Sequence, residues 1–214
     1  MINVYTDGSS INNGKSNAIA GIGVYVGDND KRNISEKLKE QPTNNRAELT
    51  AIIRVFDILK NEISCKQKIN IYTDSEYSIN SLTKWGNSWK KNGWKKKDNN
   101  EIKNLDLIKQ GHELILNNNC VELIHVKAHT GNEDEHSIGN DKADKLAKQS
   151  IGFVNFNNNN VNNNVNNNKL FVFNFGKYKG KDINYVKEND LNYINWCIKN
   201  LKNSSIVDIL RKNL

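Results

Sequence analysis

Nowhere in these 214 residues is there an apolar run long enough to cross a bilayer, and the second residue already opens a strand where a basic, apolar leader would begin. The expectation is therefore a soluble intracellular protein with neither span nor leader. Cysteine is scarce: Cys65, Cys120 and Cys197 are odd in number, far apart and without CxxC spacing. That excludes a disulfide framework and a cysteine zinc site, and leaves reduced thiols. Acidic residues are missing altogether between Tyr77 and Asp98, a stretch that holds Lys84, Lys90, Lys91, Lys95, Lys96 and Lys97. The net charge of +7 is also uneven, with 22 basic against 20 acidic residues over 1–151 and 9 against 4 over 152–214. Such local basicity favours a polyanionic partner.

What is present is organised around two runs of one design. Ile2-Asn3-Val4-Tyr5-Thr6-Asp7 alternates apolar and polar side chains, as a half-buried strand does, and Gly8 ends it just past a carboxylate. Ile69-Asn70-Ile71-Tyr72-Thr73-Asp74 repeats the pattern and is followed by Ser75, suited to cap a helix. Two aspartates delivered to strand ends point to one shared site.

Between these runs, 18–26 carries Gly21 and Gly23 at alternate positions, as in a strand packed closely against a neighbour. Gly27-Asp28-Asn29-Asp30 is a turn, and a third strand over 33–38 completes an antiparallel meander. Pro42-Thr43-Asn44-Asn45-Arg46-Ala47-Glu48 opens a helix whose Leu49, Ile52, Ile53 and Phe56 recur at helical spacing, with Glu48 in its first turns. After the Asp74 strand come a short helix over 76–82, a Trp/Lys-rich segment, a helix over 105–116, a strand over 121–126, and a helix over 142–148 bearing Asp144. The length suits one packed domain of about 150 residues and a smaller one.

Asp7, Glu48, Asp74 and Asp144 all fall at strand ends or helix starts beside apolar runs, where a lone buried carboxylate is costly. Clustered like charges need a cation, and hard oxygen donors select Mg²⁺ or Mn²⁺ over zinc. Two such ions about 3.5 to 4 Å apart suit in-line displacement at a phosphodiester. His129, just past a strand in Ala128-His129-Thr130-Gly131, is suited to accept or pass a proton near neutral pH. Tyr77, Trp85, Trp89 and Trp94 interleave with lysines and so combine stacking surface with counterion release, which is how a nucleic-acid backbone is gripped.

Five separated blocks, in order, resemble a type 1 ribonuclease H over roughly residues 1–151. They are Tyr5-Thr6-Asp7-Gly8-Ser9, Thr43-Asn44-Asn45-Arg46-Ala47-Glu48-Leu49, Tyr72-Thr73-Asp74-Ser75, Val126-Lys127-Ala128-His129-Thr130-Gly131 and Gly139-Asn140-Asp141-Lys142-Ala143-Asp144-Lys145-Leu146-Ala147. The resemblance implies an α/β, ribonuclease H-like fold with a mixed five-stranded sheet and flanking helices. It also implies endonucleolytic hydrolysis of the RNA strand of RNA/DNA hybrids by a two-metal-ion mechanism, with two Mg²⁺ ions (Mn²⁺ can substitute), giving 5′-phosphate and 3′-hydroxyl products. The catalytic, metal-binding carboxylates it implies are Asp7, Glu48, Asp74 and Asp144. Asp144 is preferred to Asp141 because the family's last acid follows an asparagine by four positions, as Asp144 follows Asn140.

By the same resemblance His129 assists the attacking water or product release, with 132–137 lengthening its loop. Tyr77, Trp85 and Trp89 line a channel for the DNA strand on a basic protrusion that includes Lys90, Lys91, Lys95 and Lys96. Asn13, Asn44 and Arg46 approach the RNA strand, whose 2′-hydroxyl separates RNA from DNA, while Thr43 and Asn104 form a pocket for a DNA phosphate. Gln41 and Glu76 depart from the pattern, replacing an arginine and an amide found in relatives. The rival reading is a non-cleaving hybrid-binding protein, against which the intact acidic set stands. No membrane and no obligate protein partner are expected.

From 155 to 168 the chain is nearly all asparagine, too poor in apolar surface to order itself, so 152–168 reads as a flexible linker. Pattern returns over 169–214. Leu170-Phe171-Val172-Phe173 reads as a strand, Phe175-Gly176-Lys177-Tyr178-Lys179-Gly180-Lys181 as a turn-rich phrase, and Leu191, Ile194, Ile198 and Leu201 as one face of a helix, with a short helix last. With Asp190, Tyr193 and Trp196, this small basic α+β module resembles one attached to some exonucleases. Lys177, Lys179 and Lys181 are candidate phosphate contacts, the alternative being a purely structural hairpin.

Overall fold

The structure, a computed structural model, describes residues 1–98, 100–128, 133–152, 171–173, 175–201 and 204–212. The chain divides into two units, 1–153 and 154–214. The linker expected over 152–168 lies, but for its first residue, outside the described residues.

In the first unit the alternating runs become strands. β1 (Ile2–Ile11) pairs antiparallel with β2 (Ile19–Tyr25), and β2 with β3 (Ile34–Lys37), which is the expected meander. α1 (Asn44–Ile58) and a short α2 (Lys60–Ser64) carry the chain to β4 (Ile69–Thr73). β4 pairs parallel with β1 so that Val4 faces Ile71 and Tyr5 faces Tyr72. The two Tyr-Thr-Asp runs are therefore neighbours in register; Asp74 lies just past the end of β4, whereas β1 continues paired with β2 to Ile11, which corrects the strand end expected at Gly8. α3 (Glu76–Leu82), α4 (Lys84–Lys91) and α5 (Leu105–Asn117) precede β5 (Val121–His125), which pairs parallel with β4. The result is a mixed five-stranded sheet of order β3-β2-β1-β4-β5.

Successive strand residues point to opposite faces. Val4, Ile22 and Ile71 share one core with Leu49, Ile52 and Phe56 of α1. Each fully buried aliphatic side chain contributes about 1.5 to 3 kcal/mol. Tyr5 and Tyr72 join a second cluster with Ala143 of α6 (Glu135–Ser150), so the sheet is flanked on both faces, as expected. The alternate glycines of β2 lie under α6, where the Ala143 carbonyl comes against Gly23.

α6 starts earlier than the sequence suggested. Asp134 caps it, its carboxylate accepting from the His136 and Ser137 amides at 3.0 Å each. Residues 135–137 therefore belong to a helix, which corrects the longer loop expected over 132–137, and His136 stacks on Tyr72 at 4.2 Å. No helix among the described residues is long and apolar enough to cross a membrane. All three cysteines are free thiols.

The second unit has its own core, in which Phe173, Ile183, Val186, Ile194, Cys197 and Leu210 are buried. Its described residues are mainly helical, with α7 (Ile183–Asn189), α8 (Leu191–Asn200) and α9 (Ser204–Lys212). Of the strand expected over 170–173, Leu170 lies outside the described residues, and 171–173 forms one antiparallel bridge, Val172 with Asp182, flanked by backbone hydrogen bonds from Phe173 to Lys181 and from Ile183 to Phe171. The chain between them turns through Gly176 and Gly180, both with positive φ.

Candidate functional site

Three elements converge at the end of the sheet where β1 and β4 deliver their aspartates. Asp7 is on β1, Glu48 in the second turn of α1, and Asp74 immediately follows β4. Their ligand oxygens all lie within 4.8 Å of one another. Gly8 permits this approach, because a Cβ there would sit 2.5 Å from the Glu48 amide nitrogen. Asp7 and Glu48 are 7% and 5% exposed. Asp7 accepts from the Gly8 amide at 2.8 Å and Glu48 Oε1 from Asn44 Nδ2 at 3.3 Å, while the buried Glu48 Oε2 has no donor among the described residues. Asp74 accepts from Nδ2 of Asn140, itself almost fully buried, at 3.1 Å.

Burial pushes the Asp7 carboxyl up to about 8, reinforced by the charges of Asp74 and Asp144. Burial, followed by the charges of Asp7 and Asp74, also lifts Glu48 well above the carboxylate range. Protons thus relieve the crowding of negative charge that a divalent cation would otherwise offset. Of the two aspartates that compete for the fourth place, Asp144 is the one whose charge and hydrogen bond raise Asp7. Its side chain is only 14% exposed and pairs with Lys148, one helical turn on, at 2.7 Å. The donor set is all hard oxygen and one buried atom lacks a donor among the described residues, so these residues fit Mg²⁺ or Mn²⁺. His129 lies outside the described residues.

The expected substrate contacts split into groups. Thr43 caps α1, accepting from the Arg46 amide at 3.4 Å. Asn13 accepts from the Asn44 amide at 3.3 Å, and Asn44 in turn holds Glu48. Arg46 makes a bidentate pair with Asp106 at 2.7 and 2.8 Å, so its guanidinium is already engaged. Asn104, with φ of 59°, donates to the Tyr77 hydroxyl at 3.1 Å. Tyr77, Trp85 and Trp89 form a run of contacting rings, with centroids 6.2 and 5.8 Å apart. Trp85 and Trp89 line a cleft of about 590 Å³ together with Ser88, Asn92, Lys95, Lys96 and Lys97. Lys90 and Lys91 sit on the exposed last turn of α4, outside that lining. Trp94 instead packs edge-on against the buried His112 at 5.6 Å, and Lys109 covers its ring. Gln41 and Glu76 are exposed.

In the second unit Lys177 pairs with Asp190 at 3.0 Å, Lys181 lies over the Tyr185 ring, and Lys179 is exposed. Sequence reading missed two supports of the acidic cluster. Asn140 holds Asp74 and Lys148 holds Asp144, and neither was read as part of the site. The signal for Asn140 was its place on the buried stripe of α6 with Gly139, Ala143 and Ala147.

Sheet order and acidic cluster together define an α/β protein whose centre is built for hard divalent cations. The RNase H family model matches residues 1–152, and the chain belongs to that family. It is 45% identical over 147 residues to ribonuclease H of Schizosaccharomyces pombe, covering 68% of this chain and 51% of that protein. It is 35% identical over 153 residues to ribonuclease H of Clostridium botulinum, covering 71% of this chain and 96% of that one. The chain thus spans about half the length of the fission-yeast relative and nearly all of the bacterial one. Among solved structures, the PFV RNase H domain superposes with a TM-score of 0.55 at 27% identity over 70% of this chain and 93% of that one. The foamy viral protease-reverse transcriptase in complex with RNA/DNA hybrid superposes with a TM-score of 0.56 at 25% identity, over 72% of this chain and 20% of that one. The model for the exodeoxyribonuclease X-like C-terminal region matches residues 173–202.

Proposed function

We propose that this chain hydrolyses the RNA strand of RNA/DNA hybrids endonucleolytically, leaving 5′-phosphate and 3′-hydroxyl ends. The observation that carries this reading is the convergence of Asp7, Glu48 and Asp74, buried or half-buried, with one Glu48 oxygen lacking a donor among the described residues. Membership of the RNase H family and the hybrid-bound foamy viral relative support the substrate. Asp7, Glu48, Asp74 and Asp144 would hold two Mg²⁺ ions, for which Mn²⁺ can substitute. Such ions, when bound, supply the positive charge that activates the attacking water and stabilises the leaving 3′-oxygen.

The chain's own residues do the rest. Asn44 and Asn140 fix the Glu48 and Asp74 carboxylates, and His129 carries a proton. Asn13, Asn44 and Arg46 meet the RNA strand, Thr43 and Asn104 a DNA phosphate. Tyr77, Trp85 and Trp89 seat the DNA strand, and Lys95 and Lys96 in the cleft meet phosphates, with Lys90 and Lys91 contributing from the exposed turn of α4.

The test is cleavage of an end-labelled hybrid in Mg²⁺ by the wild type and by Asp74→Asn, which keeps shape and removes a charge. Cleavage falls by several orders of magnitude in the variant while hybrid binding survives. Near-normal turnover sinks the site assignment, and a wild type that binds without cutting establishes the non-cleaving alternative.

A further inference from the structure

The second unit carries a feature that hybrid cleavage does not use. Four aromatic rings touch in sequence across its surface: Trp196 stacks on Tyr193 at 6.2 Å and 22°, Tyr193 meets Tyr178 edge-on at 5.1 Å, and Tyr178 meets Tyr185 at 6.5 Å. A buried ladder of this kind would be ordinary core, but this one is open at both ends. Trp196 is 55% exposed and Tyr185 40%. The rings are also held in place. Asp190 accepts from the Tyr178 hydroxyl at 3.0 Å and from Lys177 at 3.0 Å, and Lys177 in turn lies over the Tyr178 ring at 4.9 Å. Lys181 lies over Tyr185 at 4.6 Å. Gly176 lets the turn close on this surface, because a Cβ there would collide with the Tyr193 hydroxyl.

We propose that this ladder is a stacking platform for unpaired nucleotides, RNA or DNA, with Trp196 and Tyr185 as its open steps. The pairing of Lys177 with Asp190 engages its ammonium within the unit, which shifts the recognition element from charge to ring faces. The surplus of basic residues over 152–214 supplies the complementary sign for a polyanion. Duplex bases are stacked on each other and offer no faces, whereas every unpaired base has one, so the platform selects single strands without reading sequence. This site shares no residue with the acidic cluster and does not depend on the reaction assigned there.

The test uses the full chain in EDTA and follows anisotropy of labelled oligo(dT) and oligo(U) of about twelve nucleotides, a length within the single-strand site sizes of OB folds. A DNA duplex of the same length serves as the contrast. Trp196→Ala combined with Tyr185→Ala weakens binding to both single strands by about five- to 150-fold for each base that loses its partner, and leaves the duplex nearly unchanged. Both side chains are well exposed, so the core of Phe173, Ile194 and Leu210 is untouched. Oligonucleotides carrying 5-iodouracil crosslink to the peptides holding Tyr185 or Trp196. Single-strand affinity equal to wild type, an equal loss on duplex, or crosslinks confined to residues 1–152 overturns the proposal. A protein captured on the same face, with no effect on oligonucleotides, overturns it as well.

Discussion

Asp7 keeps its proton to about pH 8 through burial and the neighbouring Asp74 and Asp144 charges, against an ordinary value of 3.8 once the chain unfolds. Between those values the folded state binds more protons than the unfolded one, so stability falls as pH rises. In EDTA the melting temperature should therefore drop from pH 5 to pH 8, and Asp7→Asn, which cannot ionise, should flatten the decline. Divalent cations compete with that same proton, so their stabilising shift should grow over the same interval. A metal-free melting temperature that climbs with pH contradicts the electrostatics of the cluster. Asn140 makes a second test. Asn140→Ala removes the donor to Asp74 without touching the acids, and loss of such an outer support costs about 10- to 100-fold in metal affinity or activity. Calorimetric Mn²⁺ titration and hybrid cleavage should both register it. Asp7 and Asp74 could be read from the sequence because each closes a repeated Tyr-Thr-Asp run, and Glu48 because it follows a capping threonine near a helix start; Asp144, deep in α6, was legible only through the family resemblance. The buried stripe of α6 marked Asn140 but not its partner, because Asn140 reaches Asp74 across 66 residues and only the packing of α6 on the sheet brings them together.

At the scale of elements, α4 is where the periodicity of the chain is least informative. Its residues, Lys-Trp-Gly-Asn-Ser-Trp-Lys-Lys, contain a glycine and few good helix formers, and only Trp85 and Trp89 mark a face one turn apart. Basic residues at its C-terminal turn favour the helix dipole, a weak signal when the apolar stripe is missing. α2 and α7, of five and seven residues, are too short to show a period. β1, β4, α1 and α5 are legible because their alternation or helical spacing runs through buried positions. The cleft divides the lysines into two groups with different expectations. Lys95→Ala with Lys96→Ala should flatten the log–log salt dependence of hybrid binding by about 0.7 to 0.9 for each phosphate that is no longer neutralised, whereas Lys90→Ala with Lys91→Ala should change it less. Equal slopes for the two pairs would mean that the nucleic-acid backbone runs elsewhere than in the cleft. Thr43→Ala should cost about 1 kcal/mol in denaturant melts through loss of the α1 cap.

At the scale of the whole molecule, two separate cores imply two separable units. Truncation after residue 152 should leave the melting temperature of the first unit and its cleavage of a short hybrid at saturation unchanged. A drop in that turnover would tie the second unit to the chemistry. The sheet order has a further consequence. β1 is the central strand, yet its parallel partner β4 begins only at Ile69, and β4 waits for β5 beyond residue 120. The early hairpins of a chain leaving the ribosome can pair at once, but Asp74 meets Asp7 only after this crossover closes, and Asn140 and Asp144 arrive with the last helix of the unit. A nascent polypeptide therefore lacks the assembled acidic cluster until almost all of its first unit has been made, and in refolding experiments any hybrid cleavage should appear last, after strand pairing is complete.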